Sequence, residues 1–204
     1  MKSIFRSSLV ALVLASSAST HASLVSIDAD AFAANTVLNN AFVSFGVTLS
    51  AFGSSTDGNV YSRTNVLAST GARLFGNSSG FDPRWIPGGR SLRADFSGGT
   101  NFASIDVIAD DNFDAGQVFF YDIGGTLLSS LLTGSIVTAG TAVTLSFGSG
   151  TSNIAYMVAT GFDGENVALD NIRFNSNAVP EPSSLALTFC ALLIAGMMGR
   201  QRSE

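Results

Sequence analysis

The titratable chemistry of this 204-residue chain is almost entirely carboxylate. His21, Cys190 and Lys2 are the only residues of their kinds, and all three lie in terminal segments. A Ser-His-Asp triad, a Cys-His pair, a lysine Schiff base and a His/Cys zinc site therefore cannot be assembled from the span 23–178. What remains there is acid/base work by paired carboxylates, coordination of a hard cation, and ligand contact by aromatic and polar side chains. Asp163 and Glu165 are the conspicuous local pair, and glycoside hydrolysis takes two positioned carboxyl groups. Asp163-Gly164 is equally a turn dipeptide, which leaves an acidic turn between strands as the other reading.

Hard cations take oxygen ligands gathered on loops. Asp110, Asn112 and Asp114 stand at alternate positions like the start of a calcium loop, but the glycine, Gly116, comes one place late. Tyr121 also stands where a bidentate glutamate belongs, so a solvated loop competes with a cation site. Asp170 makes a stronger case, because alternation puts it on one face with Ala168, Ile172 and Phe174. An inward carboxylate needs a metal or several hydrogen bonds. In the competing arrangement Val167 and Leu169 mark the core face, a bulge shifts the register, and Asp170 bonds backbone amides. For ligand contact, Trp85 is the only tryptophan and sits in a proline- and glycine-rich stretch, flanked by Asp82 and Arg84. An exposed ring there would be a sugar-stacking platform with polar neighbours; a tryptophan plugging the end of a core is the alternative.

The elements that must position these residues are strands. Ile105 and Val107 alternate with Ser104 and Asp106, Val143, Leu145 and Phe147 with Thr144 and Ser146, and Ile154, Tyr156 and Val158 follow the same period. Further strands are expected over 24–27, 41–52, 91–96, 117–122, 127–132 and 167–174, with turns at Gly98-Gly99, Gly124-Gly125, 148–150 and Asp163-Gly164. About nine short strands without a helical period before Leu185 predict an all-β fold, a two-sheet antiparallel sandwich with jelly-roll topology favoured. The chain is 46% apolar and 12% charged, which argues against disorder. Twelve aspartates and Glu165 against six arginines give the body a charge of 6 − 13 = −7, which disfavours nucleic acid.

The ends read as addresses. Lys2 and Arg6, the apolar run 9–15 and Thr20-His21-Ala22 follow the order of a secretory signal peptide, expected over 1–22. At the other end come Val179, Pro180, Glu181 and Pro182, then the apolar run 185–199, then Arg200 and Arg202. Fifteen residues of helix span about 22 Å, short of a bilayer core, so an inner-membrane anchor here would be weak and transient. This order over 179–204 resembles the PEP-CTERM sorting signal of Gram-negative bacteria. The resemblance implies an exosortase as partner, an exopolysaccharide-making cell, and delivery to the cell surface or matrix.

Between the addresses, 42–49, 119–127 and the closing Ala168-Leu169-Asp170-Asn171-Ile172-Arg173-Phe174 look like a recurrent extracellular β-domain similar to galactose-binding-like and carbohydrate-binding jelly rolls. In such domains an aspartate of the last strand helps hold a structural calcium with oxygens from the first strand. The resemblance therefore implies calcium at Asp170, with Asp28 and Asp30 as its partners. The reading that results is an exported, exosortase-processed protein whose body, 23–178, is a non-catalytic binding module associated with exopolysaccharide. A structural surface protein that binds proteins or itself, and a carboxylate-dependent glycan hydrolase, stay open beside it.

Overall fold

Residues 23–77 and 83–176 are described by the computed structural model. The chain divides into two units, Met1–His21 with Val179–Glu204 and Ala22–Ala178, and the described residues belong to the second. The expected leader 1–22, the sorting segment 179–204 with its apolar run 185–199, and Asp82 lie outside the described residues. Among the described residues no helix is long and apolar enough to cross a membrane.

Among the described residues alternation produces eleven strands: β1 (Ser23–Ile27), β2 (Val47–Phe52), β3 (Tyr61–Thr64), β4 (Arg73–Gly76), β5 (Ser91–Thr100), β6 (Phe102–Ala109), β7 (Gly116–Tyr121), β8 (Leu127–Leu132), β9 (Ala142–Gly148), β10 (Ile154–Gly161) and β11 (Val167–Ser176). Their pairings are all antiparallel. One sheet runs β3-β4-β11-β6-β9 with β1 also beside β11, and the other runs β2-β5-β10-β7-β8. From β4 onward the chain changes sheet at every step but one, the winding of a jelly-roll sandwich.

The core lies between the sheets. Leu92, Ala94, Met157, Ala159, Val118 and Phe120 face Ile105, Val107, Leu169, Ile172 and Phe174 in one buried cluster. Each fully buried large apolar side chain contributes about 2 kcal/mol. The described residues contain no cysteine, so no disulfide within them adds to this cluster.

Two expectations need correction. The strand expected over 41–52 is confined to Val47–Phe52, because Val43–Phe45 form a 3-10 turn closed by Gly46 at φ +83°. Gly98 and Gly99 are no turn between strands: both lie inside β5 at φ +75° and +74°, where the register with β10 slips. They supply the left-handed backbone of a bulge. At Asp170 the competing arrangement holds: Val167 and Leu169 mark the core face, a bulge shifts the register, and the carboxylate accepts backbone amides. Asn171 adopts φ +48° and the β11–β6 register shifts between Asp170 and Arg173. Val167, Leu169, Ile172 and Phe174 consequently all join the main core, while Ala168 packs outside it with Leu74 and Ile108. Asp170 thus does not share a face with Ile172 and Phe174; residues Ser69 and Thr70 of the β3–β4 connection cover it.

Candidate ligand-binding face and acidic cluster

The outer face of the five-stranded sheet gathers aromatic and charged side chains that are far apart in sequence. The register sets Tyr156 of β10 opposite Asp95 of β5 and Tyr121 of β7, and Val158 opposite Arg93 and Phe119. Alternate residues of these strands, Met157, Ala159, Val118 and Phe120, point into the core, so the intervening ones point outward. Tyr121 and Tyr156 stack at 4.8 Å with 15° between ring planes. From the β5 side the guanidinium of Arg93 lies 3.8 Å from the centroid of Tyr156. Arg93 is in turn fixed by Asp95, Nε at 3.0 and 2.9 Å from the two carboxylate oxygens and a terminal nitrogen at 2.5 Å from one. These bonds raise the Arg93 pKa further above its ordinary value, so the guanidinium is always charged. Burial pushes the Tyr121 phenol up as well, which keeps its hydroxyl protonated and able to donate.

Arg93, Tyr156 and Tyr121 therefore form a ridge across three strands, with rings spaced by the inter-strand distance. A depression opens on each side of it. One, about 440 Å³, is bounded by Thr48, Asp95, Ser97, Ile123 and Tyr156. The other, about 430 Å³, is bounded by Phe52, Gln117, Phe119, Tyr121 and Thr160. Apolar rings beside fixed polar groups suit a ligand that is apolar on one surface and hydroxyl-rich on its rim.

The second grouping is acidic and lies on the outer face of the other sheet. Asp170 is fully buried, and its Oδ2 accepts from the Ser69 and Thr70 amides at 2.9 and 3.1 Å. The Ser69 hydroxyl lies 3.0 Å from both Asp170 Oδ2 and Asp106 Oδ2. Asp170 Oδ1 accepts the Asn171 amide at 2.8 Å. The Thr70 hydroxyl bonds Asp28 Oδ2 and lies 3.3 Å from Asp170 Oδ2, so the two carboxylates meet at one hydroxyl. Asp28 Oδ1 also accepts the Asp30 amide at 2.8 Å. Asp30 Oδ1 accepts the Ala72 amide at 2.9 Å, and its Oδ2 is buried without a partner. Burial, with Asp28 nearby, pushes the Asp170 carboxyl up to about 6 against the pull of its hydrogen bonds. As a cation site the cluster offers hard oxygens and one orphaned carboxylate oxygen, while Asp170 itself is already supplied with protein donors. Among the described residues no three acidic side chains converge as a ready-made metal cage.

Trp85 is no platform. Its ring is fully buried in the core, Nε1 donates to the Phe75 carbonyl at 2.8 Å, and its backbone bridges to Val167. Arg84, its expected polar neighbour, pairs with Asp110 at 2.6 Å. The 110–116 loop closes on itself: Asp114, buried, accepts the Asp110 and Asp111 amides at 2.6 and 2.8 Å, and Asn112 accepts from Ala139. Asp163 and Glu165 are exposed on the β10–β11 turn, where Asp163 takes φ +55°. They border a depression of about 260 Å³ with Phe113 and Phe162.

The tyrosine ridge is what the sequence reading missed, because it looks for local groups and these side chains meet only through register. The available signal was the outward phase of three strands: Arg93 and Asp95, Tyr156, then Gln117, Phe119 and Tyr121.

Neither a protein-family model nor a curated protein matches the chain. Among solved structures the chain is similar to a family 29 carbohydrate-binding module from Piromyces equi, at 8% identity over 78% of this chain and 95% of that one, TM-score 0.37. It is also similar to a family 6 module from Clostridium stercorarium in complex with cellobiose, at 20% identity over 74% and 93%, TM-score 0.32. A third is the K1 cleaved adhesin domain of Lys-gingipain from Porphyromonas gingivalis, at 10% identity over 76% and 99%, TM-score 0.34.

Proposed function

We propose that this protein is a non-catalytic binding module that takes an extracellular polysaccharide on the outer face of the five-stranded sheet. The observation that supports it is the Arg93–Tyr156–Tyr121 ridge with a depression on either side. Sugar rings present C–H surfaces to aromatic groups and hydroxyls to a charged pair such as Arg93–Asp95. With two depressions, the face suits an oligosaccharide better than a single sugar. The terminal segments add the rest of the proposal: export, processing by an exosortase near Pro180 to Pro182, and delivery to the cell surface or matrix, where exopolysaccharide is the ligand at hand.

A structural calcium is the other part of the proposal, one around which Asp28, Asp30 and Asp170 would have to draw together, since they do not converge as they stand. It is supported by the unpartnered Asp30 oxygen and by the energetic cost of keeping Asp170 ionised under the β3–β4 connection.

A glycan array tests the main reading. The wild-type chain should retain one or more oligosaccharides, and Tyr121→Ala or Tyr156→Ala should weaken retention by about tenfold or more. Glu165→Gln should change nothing. Hydrolysis of a glycan that Glu165→Gln abolishes would establish the hydrolase instead.

A further inference from the structure

The sandwich treats its strand edges unequally. The edge of β2 is covered, with Leu49 and Ala51 donating to the carbonyls of Asn39 and Gly58 at 2.9 and 3.2 Å. The edge of β3 is covered too: Ser62 exchanges bonds with Thr36 and Asn35 at 2.9 and 2.7 Å, and Val37 bridges to Tyr61. β1 runs into the charged Asp28–Asp30 corner. At the opposite side, β8 ends one sheet and β9 ends the other, and among the described residues no strand pairs with either on its outer side.

The main-chain groups on those two edges can be assigned. Thr133 donates to Gly116 at 3.0 Å, and the β7–β8 register continues as Gln117 opposite Leu132 and Phe119 opposite Ser130. Bonded and non-bonded pairs alternate in an antiparallel ladder, so the N–H and C=O of Ser130 and Leu132 point away from β7. On β9, Ser149 donates to Asn101 and Ala109 to Thr141, which by the same rule turns the groups of Thr144 and Ser146 outward.

Open edges are ordinarily guarded by charge, proline or a covering loop. Here there is neither charge nor proline from Ile123 to Phe162, the span that contains both edges. Leu127 and Leu132, at the two ends of β8, are each about half exposed. All thirteen carboxylates and all six arginines of the body lie outside this span, so a copy of this net charge of −7 brings no carboxylate of its own to this side.

We propose that this side is a self-association surface, on which β8 of one chain pairs antiparallel with β8 of a second copy and extends the five-stranded sheet across the pair. The occupant is a second copy because antiparallel pairing of β8 with itself is self-complementary, and the uncharged edge lets two acidic chains meet without setting carboxylate against carboxylate. It does not depend on the glycan reading, since it uses the edge and not the outer face.

Sedimentation equilibrium of the full chain at micromolar to millimolar concentrations tests it, with Ser130→Lys on the open edge and Val37→Lys on a covered one. The wild type should pass from one chain to two, Ser130→Lys should weaken association by about tenfold or more, and Val37→Lys should leave it unchanged. Ser130→Cys in a Cys190→Ala background should also be joined into a dimer by a short bis-maleimide, a readout that adds no charge. A wild type that stays single throughout would overturn the proposal. So would equal behaviour of Ser130→Lys and Val37→Lys, since association through another part of the chain leaves the two alike.

Discussion

Trp85→Ala should lower the melting temperature by on the order of 10 °C, the largest single-residue loss expected in the described unit. The ring is fully buried among Phe75, Val167 and their neighbours, and it is the only tryptophan of the chain. Truncating a buried aromatic of this size costs about 3 to 5 kcal/mol, and a domain of this length loses roughly 2 to 4 °C per kcal/mol. The Phe75 carbonyl, which now accepts Nε1 at 2.8 Å, loses that partner as well. Trp85→Phe keeps most of the apolar contact and should lie between the two. Circular dichroism melts provide the measurement, since the substitution removes the fluorophore. A melting temperature within a degree or two of the wild type would mean that the ring is not packed in the core. The same reasoning makes Trp85→Ala unsuitable as a test of sugar binding, because loss of binding would then report loss of fold.

The second large effect is a stability that falls as pH rises. Asp170 is pushed up to about 6 in the folded chain from an ordinary 3.8, so the folded state binds its proton more tightly than the unfolded state does. Its stabilising contribution is therefore complete below about pH 4 and is lost as pH rises through about 6. The two values differ by about two units, so the loss is about 3 kcal/mol by pH 7. Chelator-treated protein melted at steps across this range should show that fall, and Asp170→Asn should remove it. A fall that persists in Asp170→Asn would place its origin in another group. Calcium enters as an opposing effect: bound by the ionised cluster, it should raise the melting temperature near pH 7 by several degrees and have little effect near pH 4. At a hundredfold excess over Kd the gain is about 2.7 kcal/mol. No response to calcium at either pH would remove the cation from the proposal and leave the pH dependence standing on protein hydrogen bonds alone.

The fold was legible where one face of a strand meets the core and the other meets water. In β8 the expected bounds, Leu127 to Leu132, coincide with those observed. β3 and β4 were not legible, because each has only four residues and their partners, β11 and the segment around Val37, come from elsewhere in the chain. Asp170 shows why alternation alone misplaces a side chain. One left-handed residue, Asn171, flips the phase of everything after it, and an asparagine does not declare whether it will adopt that conformation. Trp85 stayed open between a platform and a core plug for a related reason, and the core plug is what forms. Its flanking prolines and glycines signal a loop, and a loop ordinarily means exposure, but this loop returns to pair with β11 and drives its tryptophan inward. The binding face required the order β5-β10-β7, which brings Arg93, Tyr156 and Tyr121 side by side although none is near another in sequence.

Amide and side-chain shift mapping tests most directly whether that face is where ligand binds. The isotope-labelled chain would be titrated with the oligosaccharide retained best on the array. Resonances of Arg93, Gln117, Phe119, Tyr121 and Tyr156 should move together with one affinity, and those of Asp163, Glu165 and Phe113 should stay still. Shifts clustered on the Asp163–Glu165 turn, or an array on which the folded chain retains no glycan, would contradict the account.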